Sequence, residues 1–244
     1  MAFPSTACLV QKQLGLENIP CFDVEAACTG FIYTLDIAQA MLRTNYALEH
    51  ILIIGSEKLS ALIDWEDRST CVLFGDGSGA AVVSRSDQPD CGVLGTLLGA
   101  DGSNPSLLNV PAGGSAVPAT EDTVKARQHF LKMNGREVFK FASRIMTQAS
   151  WEILRRHNLT AADVDLIIPH QANIRIIESA CKSMQVPIEK FFINLDRYGN
   201  TSAASVPLAL DEAYRAGQIE PGHLVLLVAF GAGLTWGAAL IKWT

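Results

Sequence analysis

Long apolar runs, metal-ligand spacings and basic clusters are all scarce in this 244-residue chain, and each scarcity removes a class of function. The most apolar stretch, Leu224 to Leu234, is about 11 residues long and holds two glycines. A membrane span needs ~20, so the run reads as a core strand and turn, and no membrane partner is expected. The six cysteines (Cys8, Cys21, Cys28, Cys71, Cys91 and Cys181) form no CxxC pair and show no other metal-ligand spacing, so no metal is expected. No apolar leader-like run stands ahead of them, which sets the expectation of a reducing, cytoplasmic setting. Lys and Arg number 19 against 25 Asp and Glu, a net charge of -6. With a pI near 5.4, that balance argues against nucleic acid as the main partner. What the chain does have is apolar substance: 49% hydrophobic and 18% charged residues, enough to bury a core as one large domain or two smaller ones.

Elements follow one another in a strand and helix alternation. A helix is predicted over 5–14, a strand over 21–24 and a helix over 29–43. His50 to Gly55 is a continuous apolar run bounded by glycine, which predicts a strand covered on both faces. Glu57 to Leu73 is more polar and reads as a connection carrying some helix. Phe74-Gly75-Asp76-Gly77-Ser78-Gly79 reads as a turn feeding a strand over 80–84, and Pro89-Asp90 punctuates the end of this half. A strand is predicted over 91–99, then a Gly, Pro, Ser and Ala-rich loop from Asp101 to Thr120, of a length that is often functional. Glu137 to His157 is a helix with apolar positions Val138, Phe139, Ala142, Ile145, Met146, Ala149 and Ile153 at i, i+3, i+4 spacing. A strand over 166–168, a helix over 174–184, a strand over 191–195, a helix over 201–216 and strands over 224–229 and 236–242 complete the chain.

The stretch Asp23 to Phe31 is the organising point. A strand breaks at small residues and delivers Cys28 to the start of a helix, where backbone N–H groups and the helix dipole favour an anion, so the thiol should ionise more readily than a free one. Taken alone, the same residue reads as a small buried apolar side chain. Two further strand-to-helix turns carry His170 and Asn200. By themselves these read as a structural histidine and a helix-capping asparagine. A weak internal repeat aligns helix 5–14, the Cys28 turn and strands 50–54 and 80–84 with helix 174–184, the Asn200 turn and strands 223–229 and 236–242. In that alignment Cys28 and Asn200 are equivalent and can meet across a pseudo-twofold axis. The second copy is preceded by residues 91–168, which have no counterpart ahead of the first, so the chain is expected to begin inside a larger fold. Domains are placed at 1–90, the remainder of an N-terminal half with the cysteine, and 91–244, a C-terminal half with His and Asn.

Four motifs in order, Ala26-Ala27-Cys28-Thr29-Gly30-Phe31, Asp67-Arg68-Ser69-Thr70 with Phe74-Gly75-Asp76-Gly77, Pro169-His170-Gln171-Ala172-Asn173, and Tyr198-Gly199-Asn200-Thr201-Ser202-Ala203-Ala204-Ser205, resemble the 3-oxoacyl-[acyl-carrier-protein] synthase III family of the thiolase superfamily. The resemblance runs from Phe3 to Trp243. It implies an α/β, thiolase-like five-layered αβαβα fold from two similar halves, the first incomplete here, a homodimer, and a Cys28, His170, Asn200 active site. It also implies that Cys28 takes an acyl group from a short acyl-CoA, that malonyl-acyl-carrier protein then enters, and that His170 and Asn200 stabilise the enolate formed as carbon dioxide leaves. Coenzyme A thioesters and acyl-carrier protein are thus substrates, and no cofactor is expected. Thiolases carry a second reactive cysteine in the C-terminal glycine-rich turn, where this chain has Phe230-Gly231-Ala232-Gly233.

By the same resemblance, the backbone N–H groups of Cys28 and Ala232 form the oxyanion hole. Ala232 stands where the family has glycine, which is tolerable if its φ suits alanine. Arg68, Gly135, Phe139 and Phe230 map to substrate-binding positions, and Phe3 to one reaching the partner subunit's acyl pocket. Arg175 and Lys182, seven apart on one helix, with Lys140, form a basic patch for an acidic carrier protein, or simply a solvated face. The family's longer N-terminal segment, with its core strands, is not matched. The expectation is therefore a truncated acyltransferase, with two alternatives: a related Cys-His-Asn condensing enzyme using another acceptor, or an inactive remnant acting only as an interaction subunit whose sheet edge needs another chain.

Overall fold

The computed structural model describes residues 3–88 and 90–244, so Pro89 lies outside the described residues. In chain order the elements are α1 (Thr6–Gln13), α2 (Gly30–Thr44), β1 (His50–Lys58), β2 (Asp76–Ser84), β3 (Gly92–Ala100), β4 (Leu108–Asn109), α3 (Glu121–Lys125), β5 (Lys132–Met133) and α4 (Gly135–Arg156). They continue with β6 (Leu166–Pro169), α5 (Ile174–Met184), α6 (Leu195–Tyr198), α7 (Ser205–Arg215), β7 (Leu224–Gly231) and β8 (Thr235–Lys242). The main sheet has the order β3-β8-β7-β6, with β6 and β7 parallel and the other neighbours antiparallel.

Side-chain alternation along β7 explains the layering. Leu224, Leu226, Val228 and Phe230 face α4 and α5, whereas Val225, Leu227 and Ala229 face α2 and α7. Every residue of β7 is buried, as a strand sandwiched between two helical layers requires. Beyond α2 and α7 lies the antiparallel pair β1-β2, whose inward positions Ile51, Ile53, Ala81 and Val83 close the second core. Four layers of the expected five are therefore packed. Leu52 (44% exposed), Ile54 and Val82 (64% exposed) point outward from the fourth, and α1 contains no buried residue. β1 was expected to be covered on both faces; among the described residues only one is, and the strand alternates accordingly.

Three local expectations are corrected. Residues 21–24 form no strand, since their backbone groups have no ladder neighbour, and Asp23 instead caps α1 by accepting from Ser5 Oγ, Thr6 N and Ala7 N at 2.7–2.8 Å. Residues 191–195 reduce to one bridge from Phe191 to Ile167. There the Gln171 side chain takes the place of a neighbouring strand, donating to Phe192 O at 3.0 Å and accepting from Asn194 N at 3.2 Å. Gly77 and Gly79 lie within β2 rather than in a turn before it. A Cβ at Gly79 would sit 2.8 Å from Leu208 N and 2.9 Å from Pro207 Cβ, so glycine is what lets α7 lie directly on the strand. On α4, Phe141 rather than Phe139 fills the core.

The repeat is present, but its register differs from the sequence alignment. A 3-10 turn at Ala27–Thr29 leads into α2, and one at Ser202–Ala204 leads into α7. Ala27 (φ 47) and Ser202 (φ 48) share the same left-handed backbone. In each half the residue two positions earlier accepts from that backbone N–H: Glu25 Oε1 from Ala27 N at 3.1 Å and Asn200 Oδ1 from Ser202 N at 2.9 Å. Asn200 is therefore the counterpart of Glu25, and Cys28 that of Ala203.

Candidate active site

Cys28 lies in the first of these turns and is buried. Holding Ala27 at positive φ costs ~1–3 kcal/mol, and the surroundings enforce it. Thr29 Oγ1 donates to Ala26 O at 2.6 Å and contacts Thr235 Oγ1 at 2.9 Å, tying the turn to the start of β8. Gly231, at the end of β7, lies against the turn so closely that a Cβ there would stand 2.8 Å from Cys28 N. The expected easy ionisation is not found. Burial pushes the thiol up to about 11; a hydrogen bond from Ser202 pulls the other way, and the Glu57 and Glu25 charges add to the rise. At rest Cys28 is a thiol.

His170 follows β6, with its N–H donating to Val228 O at 2.8 Å. It is 1% exposed, and burial pushes it down to about 3, so the ring is neutral throughout the working range. Nδ1 is 2.6 Å from Ser205 Oγ, which also accepts from Gln171 N at 3.3 Å, and Phe230 packs edge-on at 5.2 Å between ring centroids. Nε2 is buried without a partner. Asn200 is placed by a short parallel bridge to Phe74, donating its N–H to Leu73 O at 2.8 Å and accepting from Gly75 N at 2.9 Å. Because Oδ1 is used by Ser202 N, the NH2 end is left for the cavity.

That cavity has a volume of about 210 Å³ and is lined by Cys28, His170, Asn200 and Phe230 together with Gly135 and Phe139. Leu108 and Met133, from the β4-β5 pair, and Leu73, Val138, Phe141 and Ile176 make its remaining wall mostly apolar. A few polar groups thus share a mostly apolar cavity, the usual design of a small-molecule site. The wall segment is anchored from outside the cavity: buried Asp64 pairs with Arg127 and, at 3.5 Å, with Lys132, and the Arg127 guanidinium holds its carboxyl far below the usual range.

The other sequence-derived residues fall elsewhere. Arg68 is exposed while its neighbour Ser69 lines the cavity. Phe3 is 90% exposed. Ala232 is half-buried in the β7-β8 turn, is not among the positive-φ residues, and its carbonyl accepts from Thr235 Oγ1 at 3.1 Å. Arg175, Lys182 and Lys140 are exposed, with Lys140 paired to Glu137 at 2.7 Å. Sequence reading passed over Ser202, Ser205, Glu57 and Gly231. The two serines stand inside the Asn200 motif and Gly231 inside the C-terminal turn, so only Glu57, in a segment read as a polar connection, carried no signal.

Among the described residues no group of three or more His, Cys, Asp or Glu is arranged to hold a metal ion, and no helix is long and apolar enough to cross a membrane. Residues 22–102 match the family described as 3-oxoacyl-[acyl-carrier-protein (ACP)] synthase III, and residues 154–243 its C-terminal part. The chain is 54% identical over 244 residues to the beta-ketoacyl-[acyl-carrier-protein] synthase III of Caldanaerobacter subterraneus subsp. tengcongensis, covering all of this chain and 73% of the relative. It is 55% identical to that of Natranaerobius thermophilus, covering 74% of it. The crystal structure of 3-oxoacyl-[acyl-carrier-protein] synthase III from Aquifex aeolicus VF5 superposes with a TM-score of 0.89 at 46% identity, over 100% of this chain and 73% of that one. The chain therefore belongs to the 3-oxoacyl-[acyl-carrier-protein] synthase III family, acyltransferases of fatty acid biosynthesis with a thiolase-like fold.

Proposed function

We propose that this chain carries out the decarboxylating condensation of a short acyl-CoA with malonyl-acyl-carrier protein, through an acyl-Cys28 intermediate. The observation that carries this reading is the convergence of Cys28, His170 and Asn200 on one mostly apolar cavity, with His170 Nε2 buried and unpaired. In the first half-reaction Cys28 Sγ attacks the acyl carbonyl and CoA leaves as its thiol. The N–H groups of Cys28 and Ala232 hold the oxyanion. In the second, the malonyl thioester loses carbon dioxide and the resulting carbanion attacks acyl-Cys28, releasing the 3-oxoacyl thioester and restoring the thiol.

His170 and Asn200 serve the decarboxylation as donors. Ser205 Oγ, already accepting from Gln171 N, gives its own proton to Nδ1, which leaves Nε2 as the N–H of the neutral ring. That hydrogen and the Asn200 amide stabilise the enolate. Phe139 and Phe230 pack the acyl chain, Gly135 leaves the cavity open, and Arg68 with the exposed patch of Arg175, Lys182 and Lys140 serves the CoA and carrier-protein phosphates and acidic surface. The protein works in the cytoplasm as a homodimer in which Phe3 reaches the partner's acyl pocket; its near-complete exposure in the single chain supports that placement. A related condensing enzyme with another acceptor remains the second reading, favoured by the likeness to a priming beta-ketosynthase of the R1128 polyketide pathway (TM-score 0.87). Its 34% identity is below the 54% shared with the Caldanaerobacter subterraneus synthase III. Incubation with acetyl-CoA followed by intact-mass measurement tests the assignment. The wild-type chain gains one acetyl group and Cys28→Ala gains none; equal labelling of both sinks it.

A further inference from the structure

A buried thiol at rest needs a route for its proton when it attacks, and His170, in the tautomer that serves the enolate, has no lone pair facing Cys28. The structure holds another group. Along β1 the inward positions are Ile51, Ile53, Gly55 and then a carboxylate, Glu57. Gly55 brings the strand against the Ser202–Ala204 turn, since a Cβ there would stand 2.5 Å from Ala203 O. Glu57 Oε1 accepts from Ala203 N at 3.2 Å across this contact. Ser202 N is held by Asn200 Oδ1 at 2.9 Å, which fixes the left-handed backbone of Ser202 in the turn that β1 lies against. There the Ser202 hydroxyl neighbours both the Cys28 thiol and the Glu57 carboxylate and lowers the pKa of each. In the other half the equivalent position is Ala27, so the hydroxyl is present only where it faces the cysteine.

We propose that Glu57, acting through the Ser202 hydroxyl, accepts the Cys28 proton during acylation. The proposal rests on Cys28 being the nucleophile. As the Sγ–C bond forms, the thiol proton passes to Ser202 Oγ and the proton of Ser202 passes to the Glu57 carboxylate. The CoA thiolate, expelled as its C–S bond breaks, is protonated in turn by the Glu57 carboxylic acid through the same hydroxyl, so the carboxylate is restored and free CoA leaves as the thiol. Burial also raises Glu57 from its ordinary value, which makes it a better base. The ionisable groups that act with it are Cys28 and Glu25, whose Oε1 is engaged with Ala27 N.

A simple charge effect predicts the opposite result from a relay, which makes the idea easy to break. The Glu57 charge pushes the thiol upward, so if charge were its whole influence, Glu57→Gln would ease ionisation and speed acylation. A relay predicts that it slows. The measurement is the single-turnover rate of acetyl transfer from acetyl-CoA to the full chain between pH 6 and 9, by quenched intact mass, with melting temperature recorded for each variant. Expected are a loss of about 100-fold for Glu57→Gln, a similar loss for Ser202→Ala, no further loss in the double variant, and partial rescue with a shifted pH profile in Glu57→Asp. A Glu57→Gln rate at or above wild type overturns the relay, as does a Ser202→Ala rate equal to wild type or strictly multiplicative losses in the double variant. If wild type itself takes no label at Cys28, the nucleophile assignment falls and the relay with it.

Discussion

His170 shows how one residue's surroundings select its chemistry. Burial keeps it neutral, Ser205 Oγ holds Nδ1 at 2.6 Å, and Phe230 packs edge-on against the ring. Neutrality also makes it a source of pH dependence in stability. The unfolded ring titrates near 6.5 and the folded one at about 3. Between these values the unfolded state binds the extra proton, so the contribution is complete above pH 6.5 and is lost as pH falls. Between pH 6.5 and 5.5, above the range where the lowered glutamates and aspartates begin to lose their contribution, the wild-type melting temperature should fall, and His170→Gln should flatten that decline; parallel curves would defeat the claim. At this scale Cys28, His170 and Asn200 were legible because each sits where a strand signal gives way to a helix signal. Their charge states were not. The elevated thiol reflects tertiary burial and the carboxylates of Glu57 and Glu25, neighbours that a local helix-terminus argument does not see.

Among the elements, local periodicity served best where one chain segment decides its own structure. The helix predicted over 174–184 spans Ile174–Met184, started by the Asn173 side chain accepting from Arg175 N at 2.9 Å and ended by Gln185 in left-handed conformation. Strands are made by neighbours, and there the local reading failed at 21–24 and 191–195, which have the composition of strands but no full ladder partner. Glycines in β2 were misread for a related reason: Gly77 and Gly79 answer to α7, a helix some 130 residues later, rather than to a turn. Substituting Gly79 with Val should force α7 off β2 and destabilise the fold by roughly 1–3 kcal/mol, seen as a lower urea midpoint at unchanged slope. An unchanged midpoint would show that the contact relaxes freely.

For the molecule as a whole, the main sheet has helices on both faces and, among the described residues, the β1-β2 pair has them on one. The bare face carries Leu52, Ile54 and Val82 in adjacent positions, with Leu52 opposite Val82 in the ladder. A contiguous apolar surface of this kind promotes association. Replacing Leu52 and Val82 together with Thr should lower light scattering and dye binding by the chain while leaving Cys28 acetylation intact; undiminished scattering would place the adhesive surface elsewhere. The sequence by itself determined the family, the alternation of elements and the three residues that meet at the cavity, because each rests on local pattern: apolar period, glycine punctuation and short motifs. Only the tertiary structure decided the true register of the two halves, the bare outer face of β1, the neutral histidine and the Cys28, Ser202, Glu57 row. Those depend on contacts between segments up to 146 residues apart, which no local periodicity encodes.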